Sequence, residues 1–132
     1  MIDEVAWSAI ESELLSRDIP VAVLACKRLR AIASIEDQPR LLELLKHPNV
    51  FVREAAAWPL AELSGPHVIE QLFFAYQLGF DEGHDNDGFT AALLEIPALH
   101  SGTRSVLTDL IPRADGSIRD HATWLLEFCE SA

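Results

Sequence analysis

The sequence predicts an all-α protein: a short right-handed α-solenoid of about four helical hairpins, forming one domain over residues 1–132. Three observations carry that expectation. Small residues recur in register at Ala25, Ala56, Ala92 and Ala122, each followed four residues later by Leu29, Leu60, Ile96 and Leu126. Three further on stand Ile32, Leu63, Leu99 and Cys129. A stretch with apolar residues at three- and four-residue spacing precedes each copy, as a helix with one buried face requires, and nowhere does strand-like alternation persist.

Taken in order, the first helix of each hairpin is expected over 3–16, 38–46, 66–79 and 103–111, with repeats of approximately 1–35, 36–64, 65–101 and 102–132. The punctuation agrees. Asp37 ahead of Pro39, and the Ser64–Gly65–Pro66 run, place a cap and then a proline near helix starts. The breaks within hairpins fall at His47–Pro48–Asn49 and at residues 113–117, where Ser117 and Asp120 have the spacing of a capping box. Alanines 55, 56 and 57 permit close helix approach, while Val52, Leu60 and Leu63 offer apolar surface that a lone hairpin could not bury. Pro59, with Pro97 in the next copy, is expected to bend its helix.

Charge narrows the function classes. Twenty-one acidic and ten basic residues give a formal net charge of −11, which disfavours nucleic-acid phosphates and anionic lipid and favours a basic protein partner. Residues 67–132 supply most of it, with net −8 against −3 for residues 1–66. Acids at the start of the chain, where a signal peptide needs positive charge and an apolar core, point to a cytoplasmic protein. Cys26 and Cys129 lie far apart in helical apolar patterns and read as buried free thiols.

The segment "HPNVFVREAAAWPLAEL", residues 47–63, resembles the second helix of a HEAT repeat, in which a turn residue, a valine, an arginine and paired alanines precede a leucine. The fourth copy, "GSIRDHATWLLEF", follows the pattern less fully. Arg53 and Arg119 take the arginine position, where copies one and three have Ala22 and Phe89. Both arginines are expected to pair with carboxylates across repeats. The resemblance implies a HEAT-like α-solenoid. It is barely specific for function, since HEAT arrays serve as scaffolds, adaptors and sometimes enzymes.

Two constellations are candidate partner-binding sites. The first is "FDEGHDNDG", residues 80–88, which sets Asp81, Glu82, Asp85 and Asp87 around His84. An EF-hand is not expected, because with Gly88 as the loop glycine the first and twelfth positions fall on Gly83 and Leu94, which leaves a looser cation site as a lesser alternative. The bland reading is a turn in which Asn86 or Asp87 caps the next helix, compatible with recognition by an inserted loop. The second is Trp58 and Trp124, at matched positions two residues after the register alanine, where copies one and three have Lys27 and Leu94. Facing outward they form an aromatic stripe, and facing inward they pack between repeats. Trp7 is expected in core or end packing.

No zinc-protease His-Glu-x-x-His, phosphate loop, Gly-x-Ser-x-Gly elbow or Cys-x-x-Cys pair is present, so no enzyme, metal or cofactor is expected. The expected function is a protein–protein interaction module for a basic partner, of the immunity or antitoxin kind that inhibits a toxin domain. The alternatives are a HEAT-like lyase or its accessory subunit, and a self-associating scaffold. Glu127 and Glu130 are expected to make the last helix a polar end cap.

Overall fold

Apolar spacing of three and four residues matures into helices and nothing else among the described residues, 1–129, of the computed structural model. The helices are α1 (Glu4–Leu14), α2 (Ile19–Ile32), α3 (Gln38–Leu44), α4 (Val50–Leu63), α5 (Ile69–Asp81), α6 (Asp87–Leu99), α7 (Thr103–Leu110) and α8 (Gly116–Leu126). Short 3₁₀ turns at Ile35–Asp37, Gly65–Val68 and Ile111–Arg113 extend the element ends. The predicted first helices therefore stand within a few residues of their expected limits. Glu130 lies outside the described residues.

Consecutive helices pair as α1 with α2, α3 with α4 and α7 with α8, whereas α5 touches α6 only lightly. The second members also meet in chain order, α2 on α4, α4 on α6 and α6 on α8. Helix α4 is the centre of the molecule, touching α1, α2, α3, α5 and α6. Its alanine run explains how: Ala55, Ala56, Ala57 and Ala61 are wholly buried, so four small side chains let neighbours close on several sides at once. The last pair departs from this order, because α8 lies chiefly on α7 and α5 and only lightly on α6.

The core runs continuously from Trp7 and Ile10 through Leu29, Leu60 and Ile96 to Leu125. In the fourth copy the buried residue is Leu125, whereas the register residue Leu126 is half-buried. A shift of one residue rotates a helix by about 100°, in keeping with the altered seat of α8. Ile32, Leu63 and Leu99 are exposed, contrary to the burial expected of Leu63, because they fall in the last turn of their helices, beyond the packed stretch.

Local hydrogen bonds fix the ends. Asn49 Oδ1 caps α4 by accepting from Phe51 N at 2.8 Å and Val52 N at 3.3 Å. Asp37 does something other than cap α3: its buried carboxylate accepts from Ile2 N at 2.9 Å and Ser34 N at 2.9 Å, stapling the chain start to the first 3₁₀ turn. The expected Ser117–Asp120 capping box is not formed, since α8 begins at Gly116 and Ser117 is already inside its first turn. Pro59 and Pro97 both lie inside helices, α4 and α6.

A candidate functional site on α2, α4 and α6

Residues Glu54, Trp58 and Glu62 are spaced four apart, so they form one stripe along α4, and all three are half-buried. Arg30 of α2 lies over this stripe. Its guanidinium carbon is 4.3 Å from the centre of the Trp58 ring, its Nε is 2.5 Å from Glu62, and its Nη2 is 3.4 Å from Glu95 of α6. One arginine therefore ties three helices together across the indole, and Trp58 is a covered edge of the face rather than an open aromatic stripe.

At the other end of the stripe stands the α5–α6 connection. It is shorter than the sequence suggests, because α5 continues through Phe80 and Asp81 and α6 starts at Asp87, leaving Glu82–Asn86 as the link. Asn86 adopts a left-handed conformation (φ 60°) at the α6 N-cap position, yet its side chain makes no cap bond there. Instead its Nδ2 donates to Tyr76 O at 2.6 Å, inside the protein. That contact needs Gly79, since a Cβ at 79 would overlap the Asn86 amide. Asp85 takes the local turn role, accepting from Asp87 N at 3.1 Å. The connection is thus anchored from below and presents its acids outward, with Asp81, Glu82, His84, Asp85 and Asp87 all exposed.

Glu82 has a second attachment. Its carboxylate pairs with Arg53, whose guanidinium is wholly buried and also donates to His47 O at 2.9 Å and Pro48 O at 3.1 Å. His84 Nε2 is 3.6 Å from the same carboxylate. Arg53 therefore meets the expectation of a pair across repeats. Arg119 does not; it is exposed and donates to Ile111 O at 3.3 Å, within its own hairpin.

The residue that sequence reasoning missed is Glu54. It sits where α4 passes the first turn of α6, its Oε1 occupying the space a Cβ at Gly88 would need. With Val50, Gly83, His84, Asp85 and Asn86 it lines an open hollow of about 310 Å3. Burial, and then the charge of Asp85, push its carboxyl above the usual carboxylate range. Neither a hydrogen bond nor an ion pair holds it among the described residues. The four-residue spacing of 54, 58 and 62 was available in the sequence as a signal for a shared stripe. The Gly88 contact was not.

Cys26 of α2 is close enough to feel this carboxylate: burial first, and Glu54 second, push its thiol up. A thiol held in that form is a poor nucleophile. Cys26 and Cys129 are both free and half-buried, so neither is the fully buried thiol expected. Among the described residues no group of three or more His, Cys, Asp or Glu converges to hold a metal ion.

The two tryptophans do not share an environment. Trp124 stacks on Tyr76 of α5 at 6.2 Å and meets Phe128 edge-on at 5.6 Å, beside His121 in an aromatic group that includes Phe73, Phe80 and Phe89. Trp58 lies under Arg30 of α2. The structure therefore brings Trp58 and Asp85 onto one face through Glu54, while Trp124 belongs to the seam between α5 and α8. Trp7 is buried beneath Arg40 at 5.4 Å.

No family model, curated protein or solved structure matches this chain. No helix among the described residues is long and apolar enough to cross a membrane.

Proposed function

We propose that this chain is a protein-binding module, a right-handed HEAT-like α-solenoid whose acidic face captures a basic protein partner. Within that class we assign it to inhibitors of the immunity or antitoxin kind, with a cationic toxin domain as target. The observation that carries the reading is Glu54: a half-buried carboxyl beside Asp85, without a cation of its own among the described residues, over a hollow of about 310 Å3. Two like charges held close without a partner are costly, and a lysine or arginine side chain entering the hollow relieves that cost. Asp81, Asp85, Asp87 and His84 form the exposed rim, Glu82 fixes the turn through Arg53, and Trp58, with Glu62 and Glu95 already bridged by Arg30, marks the far end of the face along α4 and α6. In this reading Trp124, half-buried at the seam between α5 and α8, is a second contact separate from this face. A net charge of −11 steers a cationic partner toward the face before contact.

The test uses a short arginine- and lysine-rich peptide titrated into the 15N-labelled protein at low salt. The proposal expects shift changes concentrated on residues 54, 58 and 82–88, abolished in Glu54→Gln/Asp85→Asn. Changes scattered over all acidic surfaces, or indifferent to those two substitutions, would refute the assignment.

A further inference from the structure

Arg30 occupies the acidic face from within. Its guanidinium carbon lies 4.3 Å from the centre of the Trp58 ring, with Glu62 2.5 Å from Nε and Glu95 3.4 Å from Nη2. An indole flanked by two carboxylates has the chemistry that receives an arginine from another protein, because the planar guanidinium stacks on the ring while its edge donates to the acids. Here the chain's own α2 supplies that arginine. The seat is open to water: the Arg30 side chain is 40% exposed, and those of Glu62 and Glu95 are 33% and 35% exposed.

Glu54 stands one helical turn from Trp58 on the same stripe of α4, a rise of about 6 Å. The face therefore has two cation seats a turn apart. Arg30 fills one; the other, the hollow at Glu54 and Asp85, is filled by no cation among the described residues. Side chains at i and i+2 of an extended segment are about 7 Å apart, and those at i and i+4 of a helix about 6 Å along its axis, so one arginine-bearing segment reaches both seats. Exposed ion pairs and exposed cation–π contacts are each weak, and together they hold Arg30 in place by a factor of about ten. A side chain held so lightly exchanges readily with a competitor.

We propose that Arg30 is an internal substitute for a partner's arginine: it closes the Trp58–Glu62–Glu95 seat in the free protein, and an incoming arginine displaces it. The inference rests on the reading of this face as a surface for a cationic partner. It adds that the second seat takes a guanidinium and that the free face is partly self-blocked. The partner's affinity is lowered by the fraction of molecules whose seat is open, about tenfold.

Three tryptophans give three indole N–H resonances, and Trp58→Phe assigns the one in the seat. Titration of N-acetylargininamide into the full 15N-labelled chain at physiological salt reads that seat alone. The Trp58 indole should show no saturable shift in the wild type and a saturable one in Arg30→Ala, lost again when Glu62→Gln and Glu95→Gln are added. Arg28→Ala removes the same charge from an exposed residue of α2 that makes no ion pair among the described residues, and it should behave as the wild type. The arginine- and lysine-rich peptide should bind Arg30→Ala about tenfold more tightly than Arg28→Ala. In the wild type, bound peptide should expose the Arg30 Nε–H, which Glu62 otherwise holds, to exchange with solvent. An Arg30→Ala chain without the indole shift, an equal response in Arg28→Ala, or an Nε–H that stays protected under bound peptide overturns the proposal. So does a lower melting temperature in Arg30→Ala without tighter peptide binding, which makes the arginine a tie between helices only. The acidic-face reading fails by a separate sign, a peptide that leaves residues 82–88 unshifted in every variant.

Discussion

Arg53 is the most consequential single side chain for stability. A wholly buried guanidinium is costly unless its donors are met, and here two carbonyls of the α3–α4 connection and the Glu82 carboxylate meet Nη1 and Nη2, while Nε is buried without an acceptor among the described residues. Arg53→Ala should destabilise by about 3 kcal/mol in chemical denaturation, since it orphans those acceptors and opens a cavity. A loss under about 0.5 kcal/mol, within the range of ordinary surface substitutions, would show that the pair is ornamental. Glu54 works in the opposite sense. Its folded carboxyl holds the proton more tightly than the unfolded one, so its penalty is complete above the folded pKa and disappears as pH falls through it. Glu54→Gln should therefore raise stability at pH 7 by about 1 kcal/mol or less, with the difference closing in acid. His121 adds a second pH term. Burial against Phe73, Tyr76 and Phe80 pushes its imidazole down, against the raising effect of Asp120, while Nε2 meets Gln77 Oε1 at 2.9 Å. Its contribution is complete above the ordinary histidine range near about 6.5 and is lost as pH falls through the lower folded value. His121→Gln should flatten the melting temperature between pH 7 and pH 5; an unchanged slope would locate the acid sensitivity elsewhere.

At the scale of elements, the sequence was legible where one periodicity decided the outcome. Ala25, Ala56, Ala92 and Ala122 are all buried, because small residues at helical spacing have few other uses. It was less legible where tertiary contact chooses between neighbours. Leu125 and Leu126 are equivalent by composition, and only the seat of α8 on α5 and α7 selects the first. The same limit applies to the α5–α6 turn. Its acids were evident, but an inward Asn86 depends on the hydrogen-bonding of Tyr76 O, which no local pattern reports. Gly79→Ala tests that anchoring: the added Cβ displaces the Asn86 amide and should cost about 1–3 kcal/mol, with faster hydrogen exchange at residues 82–87. Unaltered exchange in the turn would mean that Asn86 does not hold it. Trp58 was legible as a repeat position and illegible as a neighbour, because Arg30 lies 28 residues earlier and reaches it only across the α2–α4 packing.

On the scale of the whole molecule, charge distribution and packing lead to the same face. The turn at 82–86 projects its acids because its backbone is held from within, and Glu54 joins them because α4 passes against the start of α6. The most direct measurement is an affinity capture from the native host using the wild-type chain and Glu54→Gln/Asp85→Asn, each at low and high salt, with captured proteins identified by mass spectrometry. The account predicts one basic partner on the wild type at low salt, lost at high salt and lost with the double substitution. Equal capture by both baits, or a partner retained at high salt, would contradict it.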